Sequence, residues 1–332
     1  MSKEADNKKF RIGICGYGSI GSRHARLLSY GGDVDLVIAD PVEEHLKEAE
    51  KLPSVMAVAR SAEEIVKMDL HGLIIATPDE FHVPQAELAC RAGLPVLIEK
   101  PVADNLENAE QLKKIKEETG AAILVGYPLR HNAVFQKGKE ILDSGLIGSP
   151  VSFHIMLGAY ATLLAAKNRF ADGVRNKLFV DYSHEWDYLH WFLGDVDKVA
   201  ATAQMAGKLE RMQDPNVVNA VMTLKNGVSG TAHLDYVQFP GQREFVIIGD
   251  RGRLGINAVQ GTVTARIYDE EHEQIYSVAE TFDGMMTKQW EHFRDIIFNG
   301  KEAGVKLDDG INALRTADAM IRSVETGMWQ KV

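Results

Sequence analysis

Between residues 10 and 127 the chain alternates two rhythms of apolar and polar positions. Six short runs, "FRIGICG" (10–16), "VDLVIAD" (34–40), "VMAVA" (55–59), "HGLIIAT" (71–77), "PVLIEK" (95–100) and "AAILVGY" (121–127), are β-branched and largely apolar. That is the pattern of strands buried on both faces. Helical patterns separate several of them, notably "SIGSRHARLLSY", "VPQAELACRAG" and "NLENAEQLKKIKEETG". The latter two end in Gly, as helix C-termini do. Strand and helix in alternation predict a parallel, doubly wound sheet.

After residue 128 the rhythm changes. A helix is expected over about 132–145, followed by "PVSFHIMLGAY" and then "FVDYSHEWDYLHWFLG" (179–194), which reads as one helix. Trp186, Leu189 and Leu193 form its core stripe, and Asp181, His184, Tyr188 and Trp191 fall on the other side. Strands follow without intervening helices: "DKVAATAQMAG", "NVVNAVMTL", "SGTAHLDYVQF", "EFVIIGD", "GTVTARIYD" and "EQIYSVA". Asn226-Gly227 marks a hairpin turn among them. The expectation is a large, mainly antiparallel sheet, closed by helices over about 285–298 and 309–327. A length of 332 residues suits two domains.

Composition narrows the class of function. Apolar residues make up 45% and charged residues 25%, as in an ordinary globular protein. A net charge of -10, with no Lys/Arg cluster, disfavours nucleic acids and anionic membranes as partners. "MSKEADNKKF" has no apolar core and is not expected to act as a secretory signal. Cys15 and Cys90 lie in apolar contexts and read as buried free thiols, which fits a reducing cytoplasm. No CxxC or HExxH occurs, so no metal is expected.

The chemistry begins at "CGYGSIG", where Gly16, Gly18 and Gly21 make G-x-G-x-x-G around Tyr17, Ser19 and Ile20. The motif follows a strand and opens a helix. There the first Gly permits the turn, the second admits a pyrophosphate, and the third lets helix and strand close up. Asp40 ends the next strand, 19 residues beyond Gly21, close to the roughly 20 expected of a ribose-binding carboxylate. It repels a 2′-phosphate, and the following Pro41, Val42, Glu43 and Glu44 offer no Arg to hold one. The dinucleotide read here is NAD.

With "LIEKP" (97–101) added, the chain resembles the Gfo/Idh/MocA oxidoreductases. "CGYGSIGSRHA", "IIATPDEFH", "PVLIEKPVA", "ILVGYPLRH", "VDYSHEWD" and "DDGINALRTADAMIRSVETG" occur in family order and cover nearly the whole chain. The resemblance implies a Rossmann NAD-binding domain (1–128) and an α/β substrate-binding and oligomerisation domain (129–308) with a large open sheet. The last helix, about 309–327, would pack back on the first domain, and a homodimer or homotetramer is expected. The implied reaction is hydride transfer between a nicotinamide and a secondary ring hydroxyl of a sugar, cyclitol or sugar derivative.

Position by position, Lys100 matches the lysine that hydrogen-bonds the reacting oxygen. Glu99, Thr77, Pro78 and His82 match the cofactor's surroundings, with a purely structural part open for His82. His184 matches the catalytic base, and Asp181 accepts from a substrate hydroxyl or orients His184. The two domains would thus contribute different halves of the reaction. The common family spacing is D-x-x-x-H, whereas Asp181 and His184 are separated by two residues and Val180 occupies the usual acid position. Arg130 matches an arginine near the active site, and Arg169 lies in a loop that would border the substrate. Two other readings remain on this sequence: a redox-assisted glycoside-active enzyme of the family, and a non-catalytic NAD-sensing regulator.

Overall fold

The structure, a computed structural model, describes residues 10–31, 33–160, 176–207 and 215–332. The chain divides into two compact units: residues up to Tyr127 with Met286–Ile311, and Pro128–Met285 with Asn312–Val332.

The first unit alternates β1 (Phe10–Cys15), α1 (Ser19–Gly31), β2 (Val34–Ala39), α2 (Glu43–Ala49), β3 (Val55–Ala59), α3 (Ala62–Ile65), β4 (Gly72–Ile75), α4 (His82–Arg91), β5 (Val96–Glu99), α5 (Leu106–Thr119) and β6 (Ile123–Gly126). The strands form one parallel sheet in the order β3-β2-β1-β4-β5-β6. Neighbouring residues such as Leu73, Ile74 and Ile75, or Val96, Leu97 and Ile98, are all fully buried. Both faces of the sheet are therefore covered, as the unbroken apolar runs require. Helix α5 starts where the Asn105 side chain accepts from Asn108 N at 2.9 Å and stops at left-handed Gly120. Helices α2 and α3 are 7 and 4 residues long, too short to leave a periodic signature, and the sequence did not reveal them.

The second unit holds α6 (Ala133–Asp143), β7 (Pro150–Gly158), α7 (Lys177–Asp181), α8 (Ser183–Leu193), β8 (Val196–Gln204), β9 (Val217–Leu224), β10 (Ser229–Asp235), β11 (Gln242–Gly249), β12 (Gly252–Asn257), β13 (Thr262–Ile267) and β14 (Gln274–Ser277). Helices α9 (Phe282–Asn299) and α10 (Leu307–Thr326) and the short β15 (Gln330–Lys331) complete the chain. The sheet has nine strands in the order β14-β13-β12-β11-β7-β10-β9-β8-β15. It is mixed rather than wholly antiparallel, because β7 and β10 run parallel while every other pair is antiparallel. Strands β12 and β15 were not foreseen. Gly227, at φ 90, turns β9 into β10 as Asn226-Gly227 predicted.

Alternation along the strands separates two faces. Val218, Ala220, Met222, Ala232 and Leu234 are buried on one of them. Gly138 of α6 lies so near β12 that a Cβ there would stand 2.3 Å from Ile256, while Phe192 and Tyr188 of α8 meet the Phe245 ring. The opposite face carries a polar row in which His154 pairs with Thr231 and His233 with Asn219, and Val221 among them is exposed.

Helix α9 presses on β4, where a Cβ on Gly72 would come 2.8 Å from Ile297. The boundary between units falls within α10. Its Gly310 fits against Val102 and Val125, while further along Thr316 bonds His190 and Ser323 bonds the Ala201 amide. No helix of the described residues is long and apolar enough to cross a membrane.

Candidate active site

In the first unit, parallel pairing sets the carboxyl ends of β1, β2, β4 and β5 along one edge. Cys15 is level with Ala39 and Ile75, and Ile75 with Ile98. The segments that follow these ends carry Gly16, Asp40, Thr77 and Lys100, so four separated stretches of sequence converge by topology alone. Gly16 turns with φ 88, and a Cβ on it would meet the Ala76 carbonyl oxygen at 2.6 Å. A Cβ on Gly21 would lie 1.9 Å from the Gly16 oxygen. Gly18 differs, because a Cβ there meets nothing within 4 Å. Gly16 and Gly21 are thus required by the fold, whereas Gly18 keeps a space clear in front of the amino terminus of α1. An open cradle at the positive end of a 13-residue helix suits a pyrophosphate. Gly18 and Ser19 are exposed there and Ile20 is half-buried.

Asp40 is nearly buried and rigidly held. Its Oδ2 accepts from the Tyr17 amide at 2.6 Å, and its Oδ1 accepts from the Val42 amide at 2.9 Å. His45 Nδ1 lies 3.0 Å from the same Oδ1. A carboxylate offers about four acceptor positions, so Oδ2 retains one for a ribose hydroxyl. Thr77 donates its hydroxyl to Gln85 Oε1 at 2.9 Å, and Pro78 is exposed beside it. His82 is buried, with both ring nitrogens against backbone carbonyls, at Pro101 (2.7 Å) and Thr77 (2.9 Å). Glu99 lies 2.9 Å from His24 Nε2. Lys100 follows at the end of β5, half-buried.

In the second unit the expected single helix over 179–194 is two. Helix α7 ends at Asp181, Tyr182 takes φ -104 and ψ 34, and α8 begins at Ser183. The break resets helical phase, so a continuous i, i+3, i+7 face from Asp181 through Tyr188 does not exist. Trp186, Leu189 and Leu193 are core as read, but Tyr188 is fully buried as well, stacked near Phe135 and Phe245. Burial drives its phenol well above the ordinary value, reinforced by Glu185. Asp181 and His184 flank the break and are half-buried. Asp181 Oδ2 accepts from the Tyr236 hydroxyl at 3.1 Å, and Nδ1 of His184 is buried.

Two ion pairs anchor this segment. Arg130 grips Asp187 through Nε (3.1 Å to each oxygen) and Nη2 (2.7 Å), with its guanidinium 5.6 Å from the Trp191 ring. Glu185, fully buried, accepts from Arg243 Nε at 2.8 Å. Burial opposes the charge on Arg243, but Glu185, Tyr188 and Tyr182 outweigh it and hold the guanidinium above its ordinary value. Arg169 lies outside the described residues. Among the described residues, no three His, Cys, Asp or Glu side chains cluster as a metal ion requires.

Residues 10–127 match the model of the Gfo/Idh/MocA oxidoreductase family with an NAD-binding Rossmann fold, and residues 135–255 match the Gfo/Idh/MocA C-terminal domain. The chain belongs to the Gfo/Idh/MocA family. It is an oxidoreductase that works with a nicotinamide dinucleotide.

Similar proteins extend over its whole length. The inositol 2-dehydrogenase of Corynebacterium glutamicum (strain R) is 22% identical, covering 97% of this chain and 96% of that protein. The solved scyllo-inositol dehydrogenase of Lactobacillus casei, with bound NAD(H) and scyllo-inositol, superposes with a TM-score of 0.84 at 23% identity over 98% of this chain and 99% of that one. Levoglucosan dehydrogenase in complex with NADH and levoglucosan gives 0.87 at 18% identity over 98% and 100%. At these identities the structures establish a shared fold.

Sequence reasoning missed several residues that hold the segment around Asp181 and His184. Tyr236, Glu185, Arg243 and Asp187 lie far along the chain from what they hold, and no local motif marks them. For Glu185 the signal available was a carboxylate beside a core tryptophan, which must find a partner when buried.

Proposed function

We propose that this chain is an NAD-dependent dehydrogenase that oxidises a secondary ring hydroxyl of a sugar, cyclitol or related polyol to the ketone, or runs the reverse reduction. The observation that carries the reading is the convergence of the Gly18 cradle, Asp40, Thr77 and Lys100 along one strand edge of the first unit. The first unit is the NAD-binding domain, and the second binds substrate and forms the oligomer. Loop amides and the α1 terminus hold the pyrophosphate, and Asp40 accepts from the adenosine ribose. No cation follows Asp40 before His45, which favours NAD over NADP. When bound, the nicotinamide takes or returns the hydride.

The chain's own residues manage the proton and the charge. Lys100 Nζ donates to the reacting oxygen and stabilises its negative character as the O–H bond breaks. His184 receives that proton at Nε2 while the carbon releases hydride and the C=O bond forms, the work of a general base. Asp181, fixed by Tyr236, accepts from a neighbouring hydroxyl. Similarity to proteins named for inositol and levoglucosan supports a polyhydroxylated ring as the substrate class.

A panel of cyclitols, free sugars and glycosides with NAD and with NADP tests the reading. NADH formation from at least one ring polyol is expected, and no turnover with any member, in either direction, overturns it. Glycosidic cleavage without net NADH would select the redox-assisted alternative. A homodimer or homotetramer joined through the outward face of the nine-stranded sheet is expected, and light scattering at the monomer mass overturns that part.

A further inference from the structure

Lys100 stands between two residues, each held by a buried histidine. On one side Glu99 Oε1 lies 2.9 Å from Nε2 of His24, which α1 carries into the interior. The carboxylate rests against Gly126, where a Cβ would come within 2.9 Å of it, so only glycine leaves room for this contact. On the other side the Pro101 carbonyl lies 2.7 Å from Nδ1 of His82, whose Nε2 lies 2.9 Å from the Thr77 carbonyl. His24 is 3% exposed and His82 1%, so neither ring offers a surface to a ligand. Each instead ties the Lys100 segment to a neighbour: His24 to the helix that opens at the glycine turn, His82 to the segment after β4.

We propose that His24 and His82 are positioning residues that bracket Lys100 and fix where its ammonium stands, and that His82 does not itself touch the cofactor. The proposal rests on Lys100 donating to the substrate oxygen. A shift of about 1 Å in such a donor lowers turnover on the order of a hundredfold, so both neighbours of Lys100 need to be anchored for the reaction even where the fold alone would tolerate slack.

The test compares His24→Gln, His82→Gln, Glu99→Gln and Glu99→Ala, each alone and combined with Lys100→Ala. Each histidine variant should lower kcat by roughly tenfold to a hundredfold with little change in NAD affinity. Glu99→Gln, which keeps an oxygen for His24, should retain more activity than Glu99→Ala. In the Lys100→Ala background the same changes should add less than about a twofold loss, because groups acting through one another are not additive. In the cofactor-free protein, the acylation rate of Lys100 followed by mass spectrometry should change in each histidine variant while that of exposed Lys47 and Lys51 does not.

Wild-type kcat in both histidine variants, or an undiminished loss in the Lys100→Ala background, overturns the proposal. If Lys100→Ala itself turns over normally, the proposed function fails, and the acylation rates alone then decide whether the histidines position the lysine. If His82→Gln does not fold, the His24 and Glu99 variants decide by the same criteria.

Discussion

The two units build their candidate sites from different materials. In the first, the parts are main-chain geometry: a left-handed glycine, a clear space at Gly18, amides on Asp40, carbonyls on His82. In the second, the parts are side chains that meet across the sequence: Arg130 with Asp187, Arg243 with Glu185, and Tyr236 with Asp181, each pair 55 to 58 residues apart. A backbone cradle is specified by a few residues in a row and tolerates change around it. A network of buried side chains depends on every member, since removing one strands the charge of another.

The largest expected effect sits in the second unit. His184→Asn should lower kcat by roughly 10² to 10⁴, the usual contribution of general acid–base catalysis, and remove one ionisation from the pH profile of kcat/KM. NAD affinity measured by calorimetry should hold, because the residues proposed to hold the pyrophosphate and adenosine ribose, Gly16 to Gly21 and Asp40, all lie in the first unit. Lys100→Ala should lower kcat comparably. Normal turnover by the His184 variant would make that residue structural.

Stability should separate the units next. Arg130→Ala takes from the buried Asp187 its bidentate partner, and unfolding free energy should fall by about 3–5 kcal/mol. Replacing both residues by apolar ones of similar volume should recover much of it. A loss under about 1 kcal/mol in denaturant titration would mean that the pair behaves like a surface bridge.

The same contrast explains what could be read from sequence. All six strands of the first sheet and the motif at Gly16–Gly21 were legible, because burial on both faces of the inner strands and a tight turn impose strict local composition, and even the edge strand β3, with Met56 exposed, keeps an apolar run. The break at Tyr182 was not. Residues 179–194 are helix-compatible throughout, and what interrupts them is packing: Tyr182 against Tyr236 and Arg243. The parallel pairing of β7 with β10 was equally hidden, since alternation gives a strand its faces but not its neighbour's direction. Glu99 and His82 were found by resemblance, while the bonds they make depended on knowing where α1 and α4 enter the interior.

Two glycines sharpen the comparison within the first unit. Gly18→Ala should leave thermal stability nearly unchanged, since the new methyl group meets nothing, yet weaken NAD by about tenfold or more, roughly 1.4 kcal/mol. Gly21→Ala should lower both, because its Cβ would stand 1.9 Å from the Gly16 oxygen. Equal NAD affinity in wild type and Gly18→Ala would mean that the space before α1 is not the pyrophosphate site. NAD should bind at least about tenfold more tightly than NADP, roughly 1.4 kcal/mol, and Asp40→Ala should narrow that gap without producing tight NADP binding.

The smallest effect is one of alkaline pH, and it too begins in the first unit. Cys15 and Cys90 are both buried free thiols there, and burial pushes Cys15 up from 9.0 to about 12 and Cys90 up to about 11. Below pH 9 each thiol is protonated whether the chain is folded or not, so neither contributes to a pH dependence. Above it the unfolded chain releases the proton while the folded chain keeps it. The folded state then binds more protons, and stability must fall as pH rises. The slope is about 1.4 kcal/mol per pH unit for each thiol. Replacing Cys15 with alanine leaves a cavity whose effect is the same at every pH, so the difference between the two proteins isolates the thiol. Between pH 9 and 10, where the unfolded thiol passes from half to nearly full ionisation, the wild type should lose about 1 kcal/mol more unfolding free energy than Cys15→Ala, read from urea titrations under reducing conditions. Parallel losses in the two proteins would show that the Cys15 thiol ionises as readily inside the sheet as in the open chain.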